Sequence, residues 1–402
     1  MSQLHLLSPR GFRAAGVHAG IKTSGAPDVG LLVCDVVASA AAAFTTNQVV
    51  AAPVKVGREI IAAGRLRGVV VNSGNANACT GRQGERDARR MCALAAEAVG
   101  AGAREFLPSS TGIIGHMLPM DRIERGIALA AQGLGDSSEH AAAFAGAIMT
   151  TDTRRKEAAV AFNLGKARVV LAGVCKGSGM IGPRMAVPHA TMLAYLTTDA
   201  RVEAAVLRKV LSQAVQCTFN AVTVDNHAST NDTVCVMASG LSGARIDSPR
   251  ALRALASAMH EVCASLAYQI AADGEGATKV VVITVKGARS DADARLMARA
   301  IADSPLVKCA MHGNDPNWGR IVSAAGLTSA RFDPDRAVLR LQGAKVFARG
   351  RPLPFDRRAV SAALAAREVS VELACGLGTG AATVWTCDLS KDYVTINAEY
   401  HT

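Results

Sequence analysis

The part of the 402-residue chain densest in chemically useful side chains is 176–193, KGSGMIGPRMAVPHATML, a turn rich in glycine and proline that reaches Thr191 ahead of an apolar run. Read alone, a threonine after such a turn is a helix N-cap or the first residue of a strand, since its hydroxyl can accept from orphan backbone N–H groups. Glycine punctuation recurs at 73–81, 111–115, 177–182 and 274–276. Such turns bring backbone N–H groups close to a ligand or merely let the chain reverse. By itself SSTGIIG at 109–115 is an ordinary glycine turn between a strand and a helix. The ten cysteines include no C-x-x-C pair, and Cys34, Cys175, Cys235 and Cys263 sit in apolar runs. They read as small buried hydrophobes in a reducing cytoplasm, not as zinc ligands or disulfides.

Five segments taken in order resemble the ornithine acetyltransferase (glutamate N-acetyltransferase) family: NSGNANACTG at 72–81, SSTGIIG at 109–115, KGSGMI at 176–181 with the later ATML, DGEGATK at 273–279 and DPNWGRI at 315–321. AGIKTSGAPDVGLLVCD at 19–35, TTDT at 150–153 and the closing INAEYHT extend the likeness over nearly the whole length. The resemblance implies an α/β fold, a layered α-β-β-α N-terminal-nucleophile-like architecture of the DmpA/ornithine acetyltransferase type with a smaller α/β subdomain. It implies self-cleavage between Ala190 and Thr191, which divides the chain into an α fragment, 1–190, and a β fragment, 191–402.

The cut has a chemical purpose. A threonine hydroxyl is a weak nucleophile, and an internal threonine has no base of its own. Cleavage frees an α-amine whose ordinary pKa of about 8 lets it accept a proton near neutral pH. By resemblance, Thr191 then attacks the acetyl carbonyl of N2-acetylornithine, releases ornithine, and passes the acetyl group to glutamate, a step of arginine biosynthesis. Thr111 and Gly112 correspond to the family's oxyanion hole, where donors stabilise the developing charge. Thr153, Lys176, Thr191, Glu275, Asn397 and Thr402 correspond to its substrate-binding positions. Within TTDT, Thr151 competes with Thr153. Lys176 suits a substrate carboxylate, and Glu275 suits an ammonium or a proton shuttle. The family implies an α2β2 heterotetramer, no metal and no bound prosthetic group. Some members also take acetyl-CoA as a co-substrate, and nothing in this sequence decides that point.

Two departures stand out. Val187, Pro188, His189 and Ala190 form an apparent four-residue insertion between the family's Met-Ala and its Thr-Met-Leu, so Thr191 keeps the nucleophile's context while the loop before it lengthens. His189 is a loop bystander or an aid to the cut. The family's D-G-D-T-S-T-N-D reads Asp225, Asn226, His227, Ala228, Ser229, Thr230, Asn231, Asp232 here. One rival reading is an N-terminal-nucleophile amidohydrolase or aminopeptidase that gives the acyl group to water. A second is a basic nucleic-acid-binding protein.

The elements that must position these residues read as mixed α and β throughout. Apolar spacing predicts helices over 87–99, 119–131, 200–216, 250–272 and 290–303, with Asp199 capping the third and Ser290 with Asp293 a capping box for the last. β-branched runs predict strands at 68–72, 167–174, 233–237, 279–285, 336–342 and 382–388. Asp315 and Pro316 look like a helix start, Trp318 like a core or interface anchor, and Asn72, Asn75 and Asn77 like ties within a turn. No repeat, heptad or linker marks a boundary. The most apolar stretch, 30–44, carries Asp35 and falls short of the ~20 residues of a membrane span. The first 27 residues lack acids and have no apolar h-region; they run into ordered-looking sequence and are not read as a targeting segment. The formal charge is +11, but the basic residues are dispersed and aromatics make up only 4%, which argues against a nucleic-acid or membrane partner.

Overall fold

In the computed structural model, which describes residues 3–182, 185–186 and 192–399, the chain forms two β-sheets and the helices that cover them. The larger sheet holds β1 (Phe12–Val17), β2 (Val29–Thr45), β3 (Arg65–Asn75), β4 (Phe106–Ile113), β5 (Lys156–Leu164), β6 (Ala167–Lys176), β7 (Met185–Ala186), β8 (Leu193–Thr198) and β9 (Thr233–Ala238). Its order is β4-β3-β2-β9-β8-β6-β5, with β1 and β7 paired onto β2. The 17-residue β2 is the spine: its first half lies between β1 and β3, and its second half pairs with β9.

Successive side chains of a strand leave opposite faces. Ala40, Ala42 and Phe44 therefore enter one apolar cluster and Ala41 and Ala43 another. With both faces buried on either side of an exposed middle at Asp35–Val37, β2 shows apolar runs and no sustained alternation, which is why sequence periodicity does not announce it. On the first face lie α1 (Ala52–Ile61), α2 (Gly81–Ala98), α3 (Met120–Gln132) and α4 (Ser138–Ala147), contributing Val54, Met91, Ile123 and Phe144 to the cluster. On the second lie α5 (Ala204–Cys217) and α6 (Pro249–Ala272), with Leu207, Leu211, Leu255 and Leu266.

The smaller sheet comprises β10 (Val280–Ala288), β11 (Val338–Leu341), β12 (Ala344–Ala348), β13 (Arg351–Pro352), β14 (Glu368–Ala374) and β15 (Gly380–Cys387) in the order β13-β12-β11-β14-β10-β15. Around it pack α7 (Asp291–Asp303), α8 (Pro305–His312), α9 (Trp318–Ala325) and α10 (Arg357–Ala363). Val280 and Cys387 of this sheet share a cluster with Leu266 and Ile270 of α6, so that helix joins the two units. A last helix, α11 (Lys391–Glu399), buries no residue fully. The expected α/β class, with a large unit and a smaller α/β subdomain, is what the chain adopts.

The five predicted helices correspond to α2, α3, α5, α6 and α7, the first of which begins six residues earlier than predicted, at Gly81, and Ser290 caps α7 by accepting from the Asp293 N–H at 3.1 Å. Two expected helix starts are corrected. Asp199 does not cap α5, which begins after Glu203; its carboxylate instead accepts from Val170 N at 3.0 Å and ties β6 to the end of β8. Asp315-Pro316 does not open a helix either, because Asn317 caps α9 through the Arg320 N–H. Trp318 stacks on Phe347 at 5.3 Å as the expected anchor. β8 starts two residues after Thr191 and lies between β6 and β9, so strands from both sides of the expected cut share one sheet.

Candidate active site

The glycine-rich segments that stand far apart in the sequence are brought against one another. NSGNANACTG and SSTGIIG are the ends of the parallel strands β3 and β4, with Ser73 opposite Thr111 and Gly74 opposite Gly112. Gly112 has φ +132°, and a Cβ there would lie 2.4 Å from the Gly74 carbonyl carbon, so only glycine permits the approach. Ser110 donates to Asn72 Oδ1 at 2.6 Å, and Asn72 in turn donates to the Asn75 carbonyl at 2.9 Å. Asn77 donates to the Gly84 carbonyl at 2.9 Å, so these asparagines tie the turn as expected. From the altered 225–232 stretch, Asn231 donates to the carbonyls of Ala76 and Ser110, fixing the start of β9 to the same turn.

KGSG begins at the last residue of β6. Lys176, paired with Leu193 of β8, is buried and donates to Thr111 Oγ1 at 3.3 Å. Burial lowers its ammonium pKa; Lys156 acts in the same sense, while Asp152, Asp232 and Glu275 oppose. Gly179 makes room for an acid: a Cβ there would come within 2.2 Å of the Glu275 carboxylate. Glu275 lies in the turn after α6, where its N–H donates to the Ser178 carbonyl at 3.0 Å and its Oε2 accepts from Asn397 Nδ2 at 2.8 Å. Gly276 in that turn has φ +67°, and a Cβ would meet Tyr393 N at 2.5 Å, so this glycine admits α11.

These groups line one cavity of about 150 Å³, with Thr111, Gly112, Lys176, Glu275 and Asn397 in its wall. Met192 and Leu193, which follow Thr191 in the chain, line it too. Ala190, Thr191 and Thr402 lie outside the described residues, as do Val187 and His189. Of the TTDT pair, Thr151 lines the cavity and Thr153 does not. Thr153 is held away because its hydroxyl and N–H both donate to Asp273, and it faces a wider depression with Arg154 and Arg155. Asp273 and Asp152 flank the fully buried Lys156 at 2.5 and 2.6 Å. Asp152 also accepts from the Gly177 N–H at 2.7 Å, so this ion cluster props up the KGSG turn.

Sequence reasoning missed wall residues with reactive groups, Thr150, Ser229 and Asp232. Asp232 was visible only as the end of an altered motif, because nothing local tells a buried acid from a solvated one.

The ArgJ family pattern matches residues 13–402. The chain belongs to the ArgJ family. Proteins called arginine biosynthesis bifunctional protein ArgJ from Symbiobacterium thermophilum and Thermus thermophilus are each 48% identical to it, over 98% of this chain and 98% and 99% of their own. The protein of the same description from Geobacter sulfurreducens is 46% identical over 98% of this chain and all of its own. Among solved structures, an ArgJ chain from Bacillus halodurans is 44% identical and aligns with 46% of this chain and 95% of its own at a TM-score of 0.43. An ornithine acetyltransferase from Mycobacterium tuberculosis, complexed with ornithine, is 38% identical and aligns with 45% and 96% at 0.41. Of the five segments that carried the resemblance, four supply described residues to the cavity wall, among them Ala76, Thr111, Lys176 and Glu275, and 315–321 does not.

Proposed function

We propose that this ArgJ-family chain moves an acetyl group from N2-acetylornithine to glutamate in arginine biosynthesis, through an acetyl-Thr191 ester formed after self-cleavage between Ala190 and Thr191. The observation that carries the reading is the meeting of Thr111, Gly112, Lys176, Glu275 and Asn397 around one cavity that Met192 also lines. Membership of a family whose close relatives are called bifunctional arginine biosynthesis proteins supports the substrate class. The φ of +145° at Met192, a value L residues rarely adopt, supports a strained chain beside the proposed cut.

In this scheme the Thr191 hydroxyl attacks the acetyl carbonyl while the freed α-amine takes its proton and returns it to the departing ornithine nitrogen. Thr111 and Gly112 stabilise the oxyanion of both half-reactions. Lys176 receives a substrate carboxylate, and Glu275 holds an ammonium or shuttles a proton, with Asn397 and Thr402 closing the site. Of the neighbouring threonines, Thr151 is the better choice for a substrate contact. The two fragments assemble as an α2β2 heterotetramer in the cytoplasm. Acetyl-CoA is the second donor to try.

A denaturing mass spectrum is the direct test: fragments ending at Ala190 and starting at Thr191 are expected, and an intact chain that transfers acetyl normally would overturn the scheme. Thr191→Ala should abolish both cleavage and transfer. Incubation with N-acetylornithine with and without glutamate separates transfer from hydrolysis, since equal acetate release in both would favour the amidohydrolase.

A further inference from the structure

Asp232, at the mouth of β9, is 3% exposed and lines the cavity, yet its Oδ2 has no hydrogen-bond partner among the described residues. A buried polar atom left unpaired costs free energy, on the order of 1–3 kcal/mol, unless a ligand completes it. The cavity is narrow, about 150 Å³, so a ligand entering it touches the groups of its wall. Among the described residues, two other ionisable side chains share that wall. Lys176 already donates to Thr111 and Glu275 already accepts from Asn397, while one oxygen of Asp232, Oδ2, stays without a partner among the described residues even though the Ser229 and Thr45 hydroxyls and the Met192 N–H bear on that carboxylate.

The two amino acids of the proposed reaction carry the same α-carboxylate and the same acetylated nitrogen, and differ in the charge at the end of the side chain. A fixed cation or a fixed anion at that end favours one and repels the other. We propose that Asp232 meets the side-chain end of the bound amino acid, pairing as a carboxylate with the ammonium of ornithine and donating as a carboxylic acid to the carboxylate of glutamate. The inference rests on the activity proposed above, takes the proton-shuttling alternative for Glu275, and assigns a specificity-determining residue to that site.

The surroundings of Asp232 suit both forms. Burial pushes its carboxyl well above the usual carboxylate range, against the pull of the Ser229 and Thr45 hydroxyls, the Lys176 ammonium and the Met192 N–H. The charged groups facing the same space are Lys176 from β6 and Glu275 from the turn after α6, with Asp152 and Lys156 behind Lys176.

N-acetylornithine and N-acetylglutamate make a matched pair of acetyl donors. In a ping-pong reaction kcat/KM for the donor reports formation of the acyl-enzyme alone, so the ratio of the two values cancels the nucleophile, the oxyanion hole and the α-carboxylate contact. In the native enzyme the ratio, N-acetylornithine over N-acetylglutamate, should rise by about tenfold or more as pH is raised across the range in which the enzyme is stable, because the carboxyl, held protonated by burial at the acid end, loses its proton. In Asp232→Asn it should stay within about twofold across that range, and in Glu275→Gln the rise should persist. A flat ratio in the native enzyme, or a rise that survives Asp232→Asn, overturns the inference while leaving the acetyl transfer intact. Should Asp232→Asn fail to mature, the native and Glu275→Gln profiles decide, because a rise lost in Glu275→Gln assigns the effect to Glu275. No acetyl transfer from N-acetylornithine in the native enzyme would instead remove the proposed activity itself.

Discussion

At the scale of single residues, the site rests on charges kept out of water. Lys156 is fully buried between Asp152 and Asp273. Burial alone would lower its pKa, but the two carboxylates outweigh it and raise the value; Asp152, whose own burial opposes ionisation, is lowered by Lys156 and Lys176. A lowered acid stabilises the fold above its unfolded pKa and loses that contribution as pH falls through its folded one. A raised lysine does so below its unfolded pKa and loses it as pH rises through its folded value. The cluster therefore supports the fold across neutral pH and weakens at both extremes. Lys156→Met should cost about 3–5 kcal/mol in urea unfolding at neutral pH, because two acids are left buried and uncompensated. Asp232 runs the other way: its raised pKa favours the fold below the ordinary carboxylate range and loses that advantage as pH rises. Thr111→Val removes the hydroxyl that Lys176 donates to; if Thr111 serves the oxyanion, kcat should fall by about 10²–10³ with KM little changed.

At the scale of elements, glycines set how closely the loops approach. Gly179→Ala would drive a methyl into the Glu275 carboxylate at 2.2 Å, whereas Gly165, a surface turn with open space at its Cβ, meets nothing. Gly179→Ala should lower activity far more than Tm, while Gly165→Ala, at φ +61°, should cost stability modestly and spare activity; equal effects of the two on turnover would argue against a role for the KGSG turn. The C-terminal helix α11 has no fully buried residue and is tied to the site through Asn397 on Glu275 and the Tyr393 hydroxyl 3.4 Å from Asp225. Deleting the last six residues removes Asn397 and should depress activity without altering the melting profile of the rest. The helices with sustained 3.6-residue spacing, α2, α3, α5, α6 and α7, were legible in the sequence because each has one wet and one dry face. β2, β4 and β8 were not, since strands buried on both faces carry no period of two. The helix starts at Asp199 and Asp315 were misread because a polar residue beside an apolar run looks the same whether it caps a helix or bonds a distant strand.

At the scale of the whole molecule, the proposed cut does not separate two domains. β8 is hydrogen-bonded to β6 on one side and β9 on the other, and β2 pairs with β9, so fragments made at Ala190–Thr191 would share the larger sheet. They should elute together in native chromatography and part only in denaturant; fragments that separate in buffer would contradict this arrangement.

The sequence alone determined the ingredients: the order of the glycine-rich segments, the residues Thr111, Gly112, Lys176, Glu275 and Asn397, and the amphipathic helices that carry the units. The helices and turns are local properties, fixed by residue type and spacing within a few turns of chain, and the site residues were marked by the family resemblance of their segments. Tertiary structure decided which of them meet, that Thr151 and not Thr153 lines the cavity, and that Asp232 does so with an unpaired oxygen. Those facts depend on pairings between strands distant in the chain and on exclusion of water from the space they enclose, and neither is written in any short stretch of residues.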